Sequence, residues 1–107
     1  MSVTSWKPTQ REEKVYSHLF KIALAGSGSH TISGQQSVPF FQKSGLPDTD
    51  LGEIWQIADA GSKGSLSFHE FCVAMKLISL VQNNHPISVS MLTKDSPLPK
   101  FEGISVP

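Results

Sequence analysis

Three stretches of this chain open with a hydroxyl residue followed three places later by Glu or Gln: Thr9 with Glu12, Ser33 with Gln36, and Ser67 with Glu70. Each pair is the chemistry of a helix start. The hydroxyl takes the amide three residues on, and the longer side chain reaches back to the first free amide. Behind each start lies an apolar set: Val15, Tyr16, Leu19, Phe20 and Ala23, a stripe with a period near 3.6; then Val38, Phe40 and Phe41; then Phe68, Phe71, Cys72, Met75, Leu77, Ile78 and Val81. A further helix is predicted from Asp48 or Asp50 to about Ala58, carrying Leu51, Ile54, Trp55 and Ile57; Asp50 and Glu53 offer a fourth pair. Stops fall between these segments, at Gly26-Ser27-Gly28-Ser29, at Gly45, in residues 59–66, and at Gln82-Asn83-Asn84. Pro39 lies inside the second helix, where it removes a hydrogen bond and favours a bend. No useful length alternates at period 2. The fold class is all-α, with four helices preceded by an N-terminal arm over residues 1–8 that carries Trp6 and Pro8.

With 107 residues the chain suits one domain with one modest core. Nine basic residues balance nine acidic ones, so no broad attraction to nucleic acid is expected. The single cysteine, Cys72, has no partner for an intramolecular disulfide, which points to a reducing compartment; its apolar helical neighbours make it a core residue. The longest apolar stretch, Phe71–Val81, is broken by Lys76 and is too short to span a membrane, and the polar N-terminus lacks a signal-peptide core. The expectation is a soluble, cytoplasmic, monomeric domain. His18, His30, His69 and His85 are scattered and none is spaced with Cys or carboxylates as a metal or nucleophile set, so no enzyme is expected.

The loops between the paired helices share one frame. Residues 59–70, DAGSKGSLSFHE, match a 12-residue EF-hand loop: Asp59 at position 1, Gly64 at 6, Leu66 at 8 and Glu70 at 12. Positions 3 and 5, where side-chain oxygens are wanted, hold Gly61 and Lys63. The Lys63 ammonium either stands in for the ion beside the carboxylates or points into solvent. Residues 25–36, AGSGSHTISGQQ, fit the same frame around Ile32, but Ala25, His30 and Gln36 replace the first acid, the glycine and the closing acid. No calcium is expected in that loop. At most weak binding through Asp59 and Glu70 is expected in the other. The two eighth positions should face each other, so Ile32 and Leu66 are predicted to form a short β contact.

Taken together, Tyr16 and Phe20, Ile32-Ser33-Gly34, Phe40-Phe41, Ser44 through Pro47, Leu51, Ile54, Trp55, Ala58-Asp59, Gly64, Leu66, Glu70-Phe71, Ala74-Met75 and Leu77-Ile78 resemble the EH domain, a pair of degenerate EF-hands found in endocytic adaptors. The resemblance covers roughly residues 6–92. It implies binding of short Asn-Pro-Phe motifs of endocytic or trafficking proteins, in a pocket between the second and third helices. By position that pocket is Phe41, Leu51 and Trp55, with Gly52 letting the peptide reach the backbone and Val38 at the rim. It also implies a location peripheral to endocytic or vesicle membranes, through partners. The residues themselves agree in part: Leu51 and Trp55 are four apart and share a helix face. Two other functions are carried beside this one. One is an EF-hand-type calcium-binding regulatory domain. The other is weak phosphoinositide contact through Lys14, Lys21, Lys43 and Lys76.

The EH unit is assigned to residues 9–85, and residues 86–107 to a Pro- and Ser-containing tail. Composition leaves two states open for the tail: docked on the helices through Ile87, Val89, Met91 and Leu92, or disordered.

Overall fold

The computed structural model describes residues 6–24, 30–59 and 64–104. Four α-helices run over Gln10–Leu24 (α1), Gly34–Gln42 (α2), Asp48–Ala58 (α3) and Phe68–Gln82 (α4), with two-residue strands at Ile32–Ser33 (β1) and Ser65–Leu66 (β2). The strands pair antiparallel, with Ile32 opposite Leu66 and Ser33 opposite Ser65. The predicted contact between the eighth loop positions is therefore present. It joins two helix–loop–helix units, α1 with α2 and α3 with α4.

The three helix starts form as the sequence predicts. The Thr9 amide donates to Glu12 Oε1 at 3.0 Å while the Glu12 amide donates to Thr9 Oγ1 at 3.2 Å. Ser33 with Gln36 and Ser67 with Glu70 close the same reciprocal pair at α2 and α4. The fourth pair does not form. Helix α3 starts at Asp48, takes Pro47 as its N-cap and has no side-chain cap bond, so Asp50 lies already inside the first turn beside Asp48. Both acids sit where the helix dipole favours negative charge. Helix α2 continues through Pro39, whose ring nitrogen has no proton to give the Gln35 carbonyl. The chain then turns at Gly45, whose φ of +79° is the left-handed conformation that glycine supplies without a Cβ clash.

Helix α4 is the centre of the molecule. All ten residues from Phe71 to Leu80 are buried, so the helix is enclosed on every side rather than along one stripe. Helices α1 and α3 pack against it, and so does a 3-10 turn over Val89–Thr93 in the tail. Leu92 in that turn is 1% exposed. Ile87, Val89 and Met91 are part-buried against the same core. Farther on, Gln82 holds Lys100 as a strand neighbour would, donating to its carbonyl at 2.7 Å and accepting from its amide at 3.0 Å. Phe101 then lies 4.6 Å, ring centre to ring centre, from Phe40. At the other end, Trp6 of the segment read as an arm is buried, and its carbonyl accepts from His69 Nε2 at 2.6 Å. Cys72 is fully buried, and burial first, then the nearby Glu13 and Glu12 carboxylates, pushes its thiol up to about 12.

Candidate functional site

Helices α2 and α3 each present one stripe to a shared hollow. From α2 the stripe is Gly34, Ser37, Val38, Phe41 and Gln42; from α3 it is Asp48, Leu51, Gly52, Trp55 and Gln56. Both follow the spacing i, i+3, i+4, i+7, i+8, which is one face of an α-helix. The hollow has a volume of about 590 Å³. The connection that sets the two helices side by side is Ser44 through Pro47. The Ser44 hydroxyl donates to the Phe41 carbonyl at 2.6 Å and accepts from the Leu46 amide at 3.3 Å. Gln82 of α4 donates to the Ser44 carbonyl at 3.0 Å, which fastens this corner to the central helix.

All five residues that the EH resemblance assigns to a pocket, Val38, Phe41, Leu51, Gly52 and Trp55, line this one hollow. Phe41 and Leu51 are buried and form its floor. Trp55 is half-buried, with its ring 6.4 Å from that of Phe41 at an angle of 58°. Beside Gly52 there is open space where a side chain would stand. Val38 is 53% exposed at the rim, unusual for a large apolar residue in this fold. Sequence reasoning missed Gly34, Ser37, Gln42, Asp48, Gln56 and Gly64. The helical spacing around Val38, Phe41, Leu51 and Trp55 would have found five of them; Gly64 comes from the second loop. The six-membered ring of Trp55 lies over Gly34, 3.9 Å from where a Cβ would stand. Ser37 is buried and its hydroxyl donates to the Gly34 carbonyl at 3.0 Å.

The second loop keeps the outline of a calcium loop. Asp59 Oδ2 accepts from the Gly64 amide at 2.9 Å, and Gly64 has a φ of +80°. Glu70 Oε1 accepts from the Ser67 amide at 2.8 Å. Gly61 and Lys63, and with them the reading of Lys63 as a substitute for the ion, lie outside the described residues. The donor chemistry fits calcium poorly. The ion takes about six to eight oxygens, and here positions 3 and 5 supply no side-chain oxygen. Among the described residues no group of three or more His, Cys, Asp and Glu is placed to hold a metal.

The four lysines grouped as a basic patch do not share a surface. Lys14, Lys21 and Lys43 are exposed, but Lys76 is only 4% exposed and its Nζ donates to Glu12 Oε2 at 2.7 Å. A lysine in the middle of a buried helix needs a buried acid, and Glu12 on α1 supplies it. Burial pulls the Glu12 carboxyl upward. The hydrogen bond from Lys76, with those from Thr9 and the Lys76 charge, outweighs it and leaves Glu12 below its ordinary value.

The sequence profile of the EH domain matches residues 9–102. A Schizosaccharomyces pombe protein named as an uncharacterized calcium-binding protein is 40% identical over 95 residues, which are 89% of this chain and 8% of that protein. Human epidermal growth factor receptor substrate 15 is 37% identical over 93 residues, 87% of this chain and 10% of its own length. The crystal structure of the N-terminal EF-hand domain of Arabidopsis thaliana AtEH1/Pan1 superimposes with a TM-score of 0.74 at 27% identity, covering 81% of this chain and 93% of that one. The chain thus spans a small part of each of these full-length relatives and nearly all of the isolated domain.

Proposed function

The chain belongs to the EH-domain family, and from that premise we propose that it binds Asn-Pro-Phe segments of partner proteins in the hollow between α2 and α3. A domain of this family is a protein-interaction module and not an enzyme. The observation that carries the finer reading is the convergence of Val38, Phe41, Leu51, Gly52 and Trp55 on one hollow. Its volume of about 590 Å³ falls within the rough range of 300–1,000 Å³ of small-ligand sites.

The ligand suits the site. Asn followed by Pro favours a tight turn, with Asn at the first position and the ring of Pro fixing φ at the second. A peptide already biased to its bound shape loses less entropy on binding. The Phe ring enters the apolar floor of Phe41 and Leu51 and meets the face of Trp55, where tilted aromatic contact is favourable. The space beside Gly52 admits the peptide backbone to helix α3. The partners are endocytic or vesicle-trafficking proteins carrying the motif, and the domain reaches membranes through them from the cytoplasm.

Titration of 15N-labelled protein with an Asn-Pro-Phe peptide, followed by NMR, tests this. The expected result is saturable shifts at Phe41, Gly52 and the Trp55 indole. The dissociation constant should be on the order of tens to hundreds of micromolar, because one turn with one aromatic anchor buries little surface. Shifts that are absent, or that cluster away from α2 and α3, would overturn it.

A further inference from the structure

The hollow is apolar at its floor and acidic at its edge, and we propose that this edge selects Asn-Pro-Phe segments carrying a basic residue beside the motif, with Asp48 as the specificity-determining group. The inference rests on the reading of the hollow as the peptide site.

Among the described residues, Asp48 is the one ionisable group that lines the hollow. It stands at the first turn of α3, exposed, on the same helix face as Leu51 and Trp55. A second, adjoining depression is lined by Trp55, Gln56, Asp59 and Gly64, so it shares Trp55, Gln56 and Gly64 with the first and adds another carboxylate. Asp59 is buried and already accepts the Gly64 amide, which leaves Asp48 as the group that meets solvent and ligand. Among the described residues, no Lys or Arg lines either depression. The chain as a whole carries nine basic and nine acidic residues, so the sign at this edge is local rather than a property of the protein.

A peptide anchored by its aromatic ring holds its flanking residues within a few ångströms of the rim. A lysine or arginine placed over Asp48 gains a carboxylate partner there, and a glutamate meets repulsion. The pair would be exposed, so the gain is that of a surface ion pair, about twofold to fivefold in affinity per correctly placed charge. Val38, exposed at the α2 rim, carries no charge to compete with Asp48.

The test compares peptides with one Asn-Pro-Phe core and either Lys or Glu at each position on both sides, titrated against the wild-type domain and against Asp48→Lys. The readout is the ratio of the Lys-flanked to the Glu-flanked affinity within each protein, which cancels any loss of folded fraction. The wild-type ratio should favour Lys by about twofold to fivefold at one flank, shrink as salt rises to about 0.5 M, and invert in Asp48→Lys. A wild-type ratio near one at every position, or an unchanged ratio in Asp48→Lys, overturns the inference while leaving the pocket reading intact. Failure of every peptide to bind overturns both.

Discussion

Lys76 Nζ lies 2.7 Å from Glu12 Oε2, with only 5% and 11% of the two side chains exposed. The pair joins the central helix to the first turn of α1, where Glu12 also closes the capping pair with Thr9. Glu12→Gln keeps the cap, since Gln serves at that position, but leaves the Lys76 ammonium buried without an opposite charge. Removing one partner of a buried pair costs about 3–5 kcal/mol. Urea unfolding of Glu12→Gln should show a loss of this size, and Lys76→Met combined with Glu12→Leu should recover much of it. A single variant as stable as wild type would show that water reaches the pair.

The same pair gives a pH dependence. Glu12 titrates below its ordinary value in the folded protein, so on acidification the unfolded chain takes up the proton first. The pair's contribution is whole above the ordinary carboxylate range and is lost as the pH falls through the folded value. Wild-type stability should therefore drop more steeply than that of Glu12→Gln between about pH 5 and pH 3. Parallel curves would mean that other carboxylates govern acid unfolding.

The loop chemistry predicts little affinity for calcium. With Gly61 and Lys63 at the two central ligand positions, the carboxylates of Asp59 and Glu70 remain, and Glu70 Oε1 already accepts the Ser67 amide. A ligand that binds only the folded state raises the melting midpoint by mass action. Melting curves in millimolar calcium and in excess chelator should nearly coincide. A rise of several degrees with calcium would return the domain to the calcium-binding class, the class named for the fission-yeast relative.

The tail offers a fourth test. Leu92 and Phe101 are both buried, and Phe101 makes a tilted ring contact with Phe40, the neighbour of the pocket residue Phe41. Leu92→Ala should cost about 2–3 kcal/mol and Phe101→Ala about 3 kcal/mol, the lower part of the range for buried large residues. Equilibrium unfolding curves overlaying wild type would show that this segment is a linker in solution.

How much of this was legible in the sequence depends on the length scale of the interaction. Capping pairs span three residues, so Thr9–Glu12, Ser33–Gln36 and Ser67–Glu70 could be read directly, and the loop frame placed Ile32 opposite Leu66. The start of α3 was harder, because Asp48 and Asp50 both suit a first turn and only the Gly45–Pro47 turn decides between them. The Lys76–Glu12 pair joins residues 64 apart, and no local pattern in the sequence names Glu12 as the partner of Lys76. The five assigned pocket residues came through the family resemblance. The rest of the lining, Asp48 among it, follows from helical spacing once α2 and α3 are known to face each other. Burial of α4 on all sides needed the tail, whose composition allowed either state.

The pocket is tested most sharply by a pair of variants. Trp55 is half-buried and forms one wall of the hollow, whereas Phe71 is fully buried and meets Phe20 and Phe40 in tilted ring contacts, with ring centres 5.0 Å and 5.9 Å away. Trp55→Ala strips that wall, and truncating an aromatic hot spot of this kind costs about 2 kcal/mol or more, roughly a thirtyfold loss of affinity. Its fold should survive, because part of the indole already faces solvent. Leu51→Ala should weaken binding less, by removing floor without removing the aromatic face. Phe71→Ala should lose about 3–5 kcal/mol of stability through the cavity it leaves, and with a domain of this size that is enough to unfold much of the population. Circular dichroism melts and peptide titrations on the same samples separate the cases. If Trp55→Ala stays folded and binds an Asn-Pro-Phe peptide as tightly as wild type, the ligand sits elsewhere. If it melts as early as Phe71→Ala, Trp55 is a core residue whose exposed edge carries no binding role.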